Sequence, residues 1–347
     1  MTSTDESDPL RERFDFLVNA PALFNAVATA AELRIFHFLA ENPLASHRRI
    51  QEFSGLPAHQ LRVLLQSICA TGLLVKRDGR YTNSAVAAEL LASDAPDSWS
   101  HILPGWKEVY YPAFAHMTQA IRSGTNTALD DYPGDAPTLY QRLAALPEVE
   151  ETFHRAMSAF SLRTLGGLLK CDEFTTLRHL LDVGGGDGMT SAALAERHPD
   201  LRLTVFDMPS VSRLAEDRTR AEGQGRVSRH PGDLFEDDFP TGVDGVLFSH
   251  VLEIFDGEQI RALVKKAYDV LPSGGRILVY GFNASDDETT GIYSARLGLY
   301  FNVLASGQGM AYPARDYEEW LRRAGFADVR TVTGLPYEHG LTLGTKP

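Results

Sequence analysis

A chain of 347 residues is long for one small core, and 44% hydrophobic against 23% charged residues is a folded composition, so two domains are expected. The 33 basic residues face 46 acidic ones, a formal charge of −13 that repels a phosphate backbone and argues against a nucleic-acid partner. Cys69 and Cys171 form no C-x-x-C pair and no Cys/His cluster, which leaves a disulfide framework or zinc site nothing to build on and fits a cytoplasmic protein.

Residues 1–20 open on acids and lack the basic and apolar segments of a secretion signal. No stretch is read as approaching the ~20 uncharged apolar residues that span a bilayer, so no membrane partner is expected. From 17 to 40 the apolar residues Leu17, Leu23, Val27, Ala31, Leu33, Ile35, Phe38 and Leu39 recur at helical spacing. Helical 48–53, a break at Gly55-Leu56-Pro57, helical 60–71 and a two-stranded turn around Asp78-Gly79 then read as a winged helix. Arg62 is the one cation on 60–71, the would-be recognition helix, so dimerisation or scaffolding is the expected role; Arg48, Arg49, Lys76, Arg77 and Arg80 speak for DNA.

Residues 98–169 read as helical, broken over 124–137, and carry Trp106, Tyr110, Phe114, Met157 and Phe160. Any one of these is ordinary core; as a set, with Tyr300 and Met310 further on, they are candidates for the wall of an apolar substrate pocket. The boundaries expected are a winged-helix-like domain over 1–97, a helical segment over 98–170 and a cofactor domain over 171–347.

After Cys171 strands and helices alternate. Strands are predicted over 178–183, 201–206, 226–229, 242–248, 276–281, 329–334 and 341–345, and helices over 190–197, 211–222, 256–270 and 314–324. That order makes an α/β, Rossmann-like sheet of mostly parallel strands, and the short link between the last two makes them an antiparallel hairpin.

The first of these strands runs into Asp182-Val183-Gly184-Gly185-Gly186-Asp187-Gly188 with a helix following, the arrangement of a cofactor loop. The dinucleotide fingerprint fails, because Met189 stands where its third glycine belongs. Acidic Asp182 and Asp187 suit a ligand bearing an ammonium and a sulfonium better than a pyrophosphate. In Phe206-Asp207-Met208-Pro209, Asp207 lies 23 residues after Gly184, placed to accept ribose hydroxyls. Gly232-Asp233-Leu234 offers a carboxylate for an adenine amine and an apolar face; an isolated Gly-Asp would as readily cap the next turn, but in series with Asp207 the adenine reading is preferred. Together these point to S-adenosylmethionine as cosubstrate, with no metal expected.

These segments, with Glu32 to Phe36, Gly55 to Tyr81, Leu271 to Leu278 and Tyr317 to Phe326, resemble the class I S-adenosylmethionine-dependent O-methyltransferases of the plant caffeate and bacterial antibiotic-tailoring type. The resemblance implies an N-terminal winged-helix-like dimerisation domain, a seven-stranded sheet, and a homodimer whose N-terminal domains help close the partner's site. By position it implies cofactor contacts at Gly184, Gly186, Asp207, Asp233, Leu234 and Ser249, to which the flanking Asp182 and Met208 are added. It also implies methylation of a small hydroxylated aromatic in secondary metabolism, on oxygen by default. Carbon methylation, the hydroxylase chemistry of one relative and a ligand-sensing DNA-binding protein are the alternatives.

The catalytic segment departs from the pattern. Where the family reads V-L-H-D-W, this chain reads Val251-Leu252-Glu253-Ile254-Phe255, and Ala311-Tyr312-Pro313 replaces the segment whose carboxylate orients the base. Three roles stand for Glu253: a general base, a grip on a substrate amine or hydroxyl, or a structural acid in a site working by positioning. His250, three residues earlier, is the second catalytic candidate, placed to face Glu253 across one turn. His339 is expected to be structural, and a 2-His-1-carboxylate metal set lacks its second histidine.

Overall fold

A computed structural model describes residues 8–212 and 225–347; most of the helix expected over 211–222 lies outside the described residues. The chain forms two compact units, Met1–Pro112 with Leu146–Arg163 and Ala113–Ala145 with Thr164–Pro347. The helical stretch 98–170 is shared between them, and the helix Pro147–Leu168 belongs to the first unit as far as Arg163 and to the second from Thr164.

In the first unit, Asp8 accepts from the Leu10 N–H and Pro9 opens the helix α1 (Pro9–Glu32). Arg34 in the left-handed region, φ 55°, separates it from α2 (Ile35–Glu41). Then follow β1 (Ala45–Ser46), α3 (His47–Ser54), α4 (Ala58–Ala70), β2 (Leu74–Arg77) and β3 (Arg80–Asn83), the sheet running β1-β3-β2. Ser46 caps α3 by accepting from Arg49, and Asp78 (φ 49°) with Gly79 (φ 72°) makes the two-residue turn that suits the strand twist. This is the winged-helix pattern read from the sequence, except that β1 adds a third strand to the two-stranded wing of a domain expected to be otherwise all-helical. Its core is Phe36, Ile50, Leu61, Leu65 and Ile68, all fully buried.

Among the described residues one helix, α1, is long and apolar enough to cross a membrane by length and composition alone. That corrects the expectation that no stretch comes near. Counting unbroken apolar runs stops at Asn19, Pro21 and Asn25, whereas a long helix tolerates such interruptions. The C-terminal half of α1 buries Val27, Ala28, Ala30 and Ala31 in the unit's core, while Leu10, Phe14, Leu17 and Val18 are exposed.

In the second unit seven strands run β6-β5-β4-β7-β8-β10-β9. They are β4 (His179–Val183), β5 (Arg202–Asp207), β6 (Val227–Pro231), β7 (Gly245–Ser249), β8 (Arg276–Phe282), β9 (Ala327–Leu335) and β10 (His339–Thr345). All pairings are parallel except those of β10, which lies antiparallel to both β8 and β9. The central strands are buried on both faces and are mostly apolar, with Asp182 the buried charged residue inside β4. Strand order reverses between β4 and β7, the switch point at whose carboxyl ends open α/β sheets bind ligands. On one face Ile277 and Val279 of β8 pack with Leu263, Val264, Tyr317 and Leu321; on the other Tyr280 and Phe282 meet His250 and His339.

Candidate active site

The glycine loop follows the carboxyl end of β4, at that switch point. Gly184 (φ 70°) donates to the Phe206 carbonyl at 2.7 Å, and a Cβ there would stand 2.6 Å from a Val251 methyl, so the turn requires glycine. Gly186 (φ 60°) donates its N–H to Asp207 Oδ2 at 2.8 Å, and Met208 donates to Asp207 Oδ1 at 2.7 Å. Asp207 thus ties the end of β5 to the loop. Met208 itself is exposed. Asp182 is fully buried beneath the loop and accepts from Ser191 Oγ at 2.7 Å. Burial, with Asp207 and Asp187 adding repulsion against the Ser191 hydrogen bond, pushes Asp182 up to about 6, and burial raises Asp207 as well. Carboxyls lifted in this way gain from a cation placed beside them, so the loop fits the positively charged S-adenosylmethionine.

Asp233 Oδ1 accepts from Phe235 at 2.8 Å and Glu236 at 3.2 Å, so this carboxylate caps its own turn. Lys266 Nζ fastens the same turn by donating to the Leu234 carbonyl at 2.8 Å, and the Leu234 side chain packs on the sheet core. Ser249 ends β7 with its hydroxyl 3.5 Å from His250 Nδ1.

Glu253 lies in a single helical turn, Leu252–Ile254, and is 2% exposed. Its carboxyl lies against Gly281 and takes the Phe282 N–H at a long 3.4 Å, and burial pushes it up to about 7. His250, in the left-handed region at φ 57°, does not turn to Glu253 as the spacing suggested. Its Nε2 meets His339 Nε2 at 2.7 Å. His339 Nδ1 lies 3.0 Å from the Pro336 and Tyr337 carbonyls and must carry the hydrogen there, so its Nε2 accepts and His250 Nε2 donates. Burial, then His339, holds His250 well below the ordinary histidine range, and burial pushes His339 down to about 4. A neutral, hydrogen-bonded His250 is a poor base. The strand pleat explains the correction: the two side chains lie on opposite faces of β8, Glu253 at Gly281 and His250 beside Tyr280 and Phe282.

The aromatic candidates fall in both units. Trp106, Tyr110 and Phe160 are buried in the first, where Trp106 lies 6.0 Å from Phe160 and the Tyr110 hydroxyl 2.8 Å from Met157 Sδ. These side chains pack on one another within that unit. Phe114, buried Tyr300 and half-buried Met310 belong to the second. Sequence reasoning missed Gly281 as a neighbour of Glu253, although an unneeded glycine inside a buried strand marks a close approach. Among the described residues no group of three His, Cys, Asp or Glu could hold a metal ion.

Residues 114–327 match the profile of the O-methyltransferase domain. The chain is 32% identical over 340 residues to the L-tyrosine C(3)-methyltransferase of Streptomyces lavendulae, spanning 96% of this chain and 93% of that one. It is 32% identical over 322 residues to the 3-hydroxy-5-methyl-1-naphthoate 3-O-methyltransferase of Streptomyces sahachiroi, spanning 92% and 91%. The crystal structure of the S-adenosylmethionine-dependent methyltransferase SibL in its apo form matches with a TM-score of 0.87 and 34% identity, over 96% of this chain and 99% of that one. Human N-acetylserotonin methyltransferase in complex with SAM shares the fold at 22% identity, with a TM-score of 0.85 over 100% and 99% of the two chains. The chain belongs to the O-methyltransferase domain family and is an S-adenosylmethionine-dependent methyltransferase.

Proposed function

We propose that the enzyme methylates the ring carbon beside the hydroxyl of a small phenol, with Glu253 as the base that takes the phenolic proton. The base assignment rests on one observation: a buried carboxyl, pushed up to about 7, stands where the family pattern places histidine. Near neutral pH such a group is present in both forms and accepts a proton usefully. Choosing carbon rests on the relative from Streptomyces lavendulae, named for methylating C3 of L-tyrosine.

S-adenosylmethionine supplies an electrophilic methyl group when bound. Gly184, Gly186 and Ser249 would line its path, Asp182 would balance its charge, and Asp207 would hold the ribose hydroxyls. Asp233, Leu234 and Met208 would surround the adenine. The phenolic proton goes to Glu253, the phenolate pushes electron density onto the adjacent carbon, and that carbon takes the methyl as the carbon–sulfur bond breaks. The ring proton then leaves to solvent, which restores the aromatic ring as the phenolate, and Glu253 returns its proton to that oxygen. Tyr300 and Met310 are proposed as walls for the substrate ring.

Transfer to oxygen is the second reading, favoured by the Streptomyces sahachiroi relative, named as a 3-O-methyltransferase. Purified enzyme incubated with S-adenosylmethionine and L-tyrosine or a hydroxynaphthoate, followed by NMR of the product, separates them. An aryl methyl signal is expected; a methoxy signal assigns the reaction to oxygen, and absence of donor binding by calorimetry defeats both.

A homodimer is proposed as well, supported by the exposed apolar stripe of α1, and a cytoplasmic site fits the free Cys69 and Cys171 thiols.

A further inference from the structure

Gly281 sits inside a seven-residue strand that is buried from Ile277 onward and otherwise carries side chains that pack. A glycine there is worth roughly 0.5–1 kcal/mol less than alanine, and its φ is not in the left-handed region that would demand glycine. Its neighbour supplies the reason. A Cβ at 281 would overlap Glu253 Oε1 outright and stand 2.9 Å from both Cδ and Oε2. The next residue, Phe282, offers its N–H to the same Oε1. Across the turn, a Cβ at Gly309 would overlap the Glu253 carbonyl, so glycine is the residue that fits on the backbone side too.

We propose that Gly281 is a positioning residue: the space left by its missing side chain seats the Glu253 carboxyl beside the Phe282 N–H and sets the direction in which it accepts a proton. This rests on the reading of Glu253 as the base. The phenols near Glu253 are Tyr280 on β8 and Tyr317 on the helix Ala314–Arg323; both are held above the ordinary range by burial and stay neutral where Glu253 titrates. Neither phenol therefore contributes to the limb that Glu253 sets, and donor affinity measured across pH separates the limb due to Asp182 and Asp207.

The test is a double-mutant cycle of Gly281→Ala and Glu253→Gln, read by kcat, its pH profile, donor affinity by calorimetry and thermal melting. Gly281→Ala is expected to lower kcat roughly tenfold or more and to move the acidic limb of the profile by about half a unit or more, with donor affinity unchanged. In the Glu253→Gln background the same change should cost less than about twofold, because the group it displaces is already inert. Adding Glu253→Asp to Gly281→Ala, which gives back one methylene, should recover activity several-fold; simple misfolding gives no such rescue. Additive losses, or a Gly281→Ala enzyme with parental kcat and profile, overturn the assignment of Gly281 while leaving Glu253 as base. Parental kcat and pH profile in Glu253→Gln alone instead overturn the base reading itself, and Gly281 falls with it.

Discussion

Burial at Glu253 acts on stability as well as on chemistry. The folded chain keeps this proton up to about 7, whereas an unfolded chain releases it near the ordinary value of 4.5. Between those values the folded state binds more protons, so the contribution is fully present below the unfolded value and is lost as pH rises through about 7. Glu253→Gln removes that dependence. The variant should therefore gain stability over the parent above pH 7, by up to roughly 3 kcal/mol, with the gain fading below the unfolded value. Calorimetric melting of both proteins across pH measures it, and a pH-independent offset would show that the carboxyl is not the titrating group. In catalysis the same variant should lose about 10²-fold or more in turnover, with the loss shrinking as pH nears the phenol's own pKa. A loss of only a few-fold with an unchanged profile would point to positioning. Asp207 has two tasks, holding the Gly186 N–H and, as proposed, the ribose. Asp207→Ala should weaken donor binding by about tenfold or more, about 1.4 kcal/mol, measured by calorimetry. Unchanged affinity would remove it from the site.

The turn between β9 and β10 shows what an element hides from its own sequence. A short link between two strands was legible as a hairpin, and Leu335–His339 closes it. Its partners were not legible, because they lie far away in sequence. Tyr337 (φ 58°) and Glu338 (φ 61°) both occupy the left-handed region. That bend brings the Glu338 carboxylate to the N-terminus of the helix Ile292–Tyr300, where it accepts from Ile292 at 2.8 Å, Tyr293 at 3.3 Å and Ser294 at 2.9 Å. It also delivers His339 to His250. An N-terminal carboxylate satisfies orphan N–H groups and opposes the helix dipole. Glu338→Ala should accordingly cost about 1–2 kcal/mol and speed amide exchange at 292–294 more than in the sheet. Exchange quickened evenly across the second unit would contradict a local cap. The glycine loop and Asp207 were readable because their ligand-facing chemistry is compressed into short segments. The seat of Glu253 was not, since Glu253 and Gly281 are joined only by the packing of a turn on a neighbouring strand.

At the scale of the molecule, α1 changes character along its length. Leu10, Phe14, Leu17 and Val18 fall within one stripe at helical spacing, and the same stripe continues into Phe24, Ala28 and Ala31, which join the first unit's core. The C-terminal half of the stripe has a partner within the chain. The N-terminal half does not bury it: Leu10 is 72% exposed, Phe14 61% and Leu17 67%. Helices that lie along a membrane carry cations on the polar face, whereas α1 places Glu12 and Asp15 beside Arg11 and Arg13 and then runs without charge to Glu32. A second copy of the same stripe is self-complementary and needs no new chemistry to cover it. Light scattering on the purified enzyme should therefore give twice the chain mass of 38.2 kDa. Replacing Phe14 and Leu17 together by Glu should return it to the monomer mass, because four charges would then face one another across the paired stripes. Residues 14 and 17 are exposed within the chain, so thermal stability of the isolated units should change little. A parent enzyme that is already monomeric at micromolar concentration, or a double variant that stays dimeric, would take α1 out of the interface.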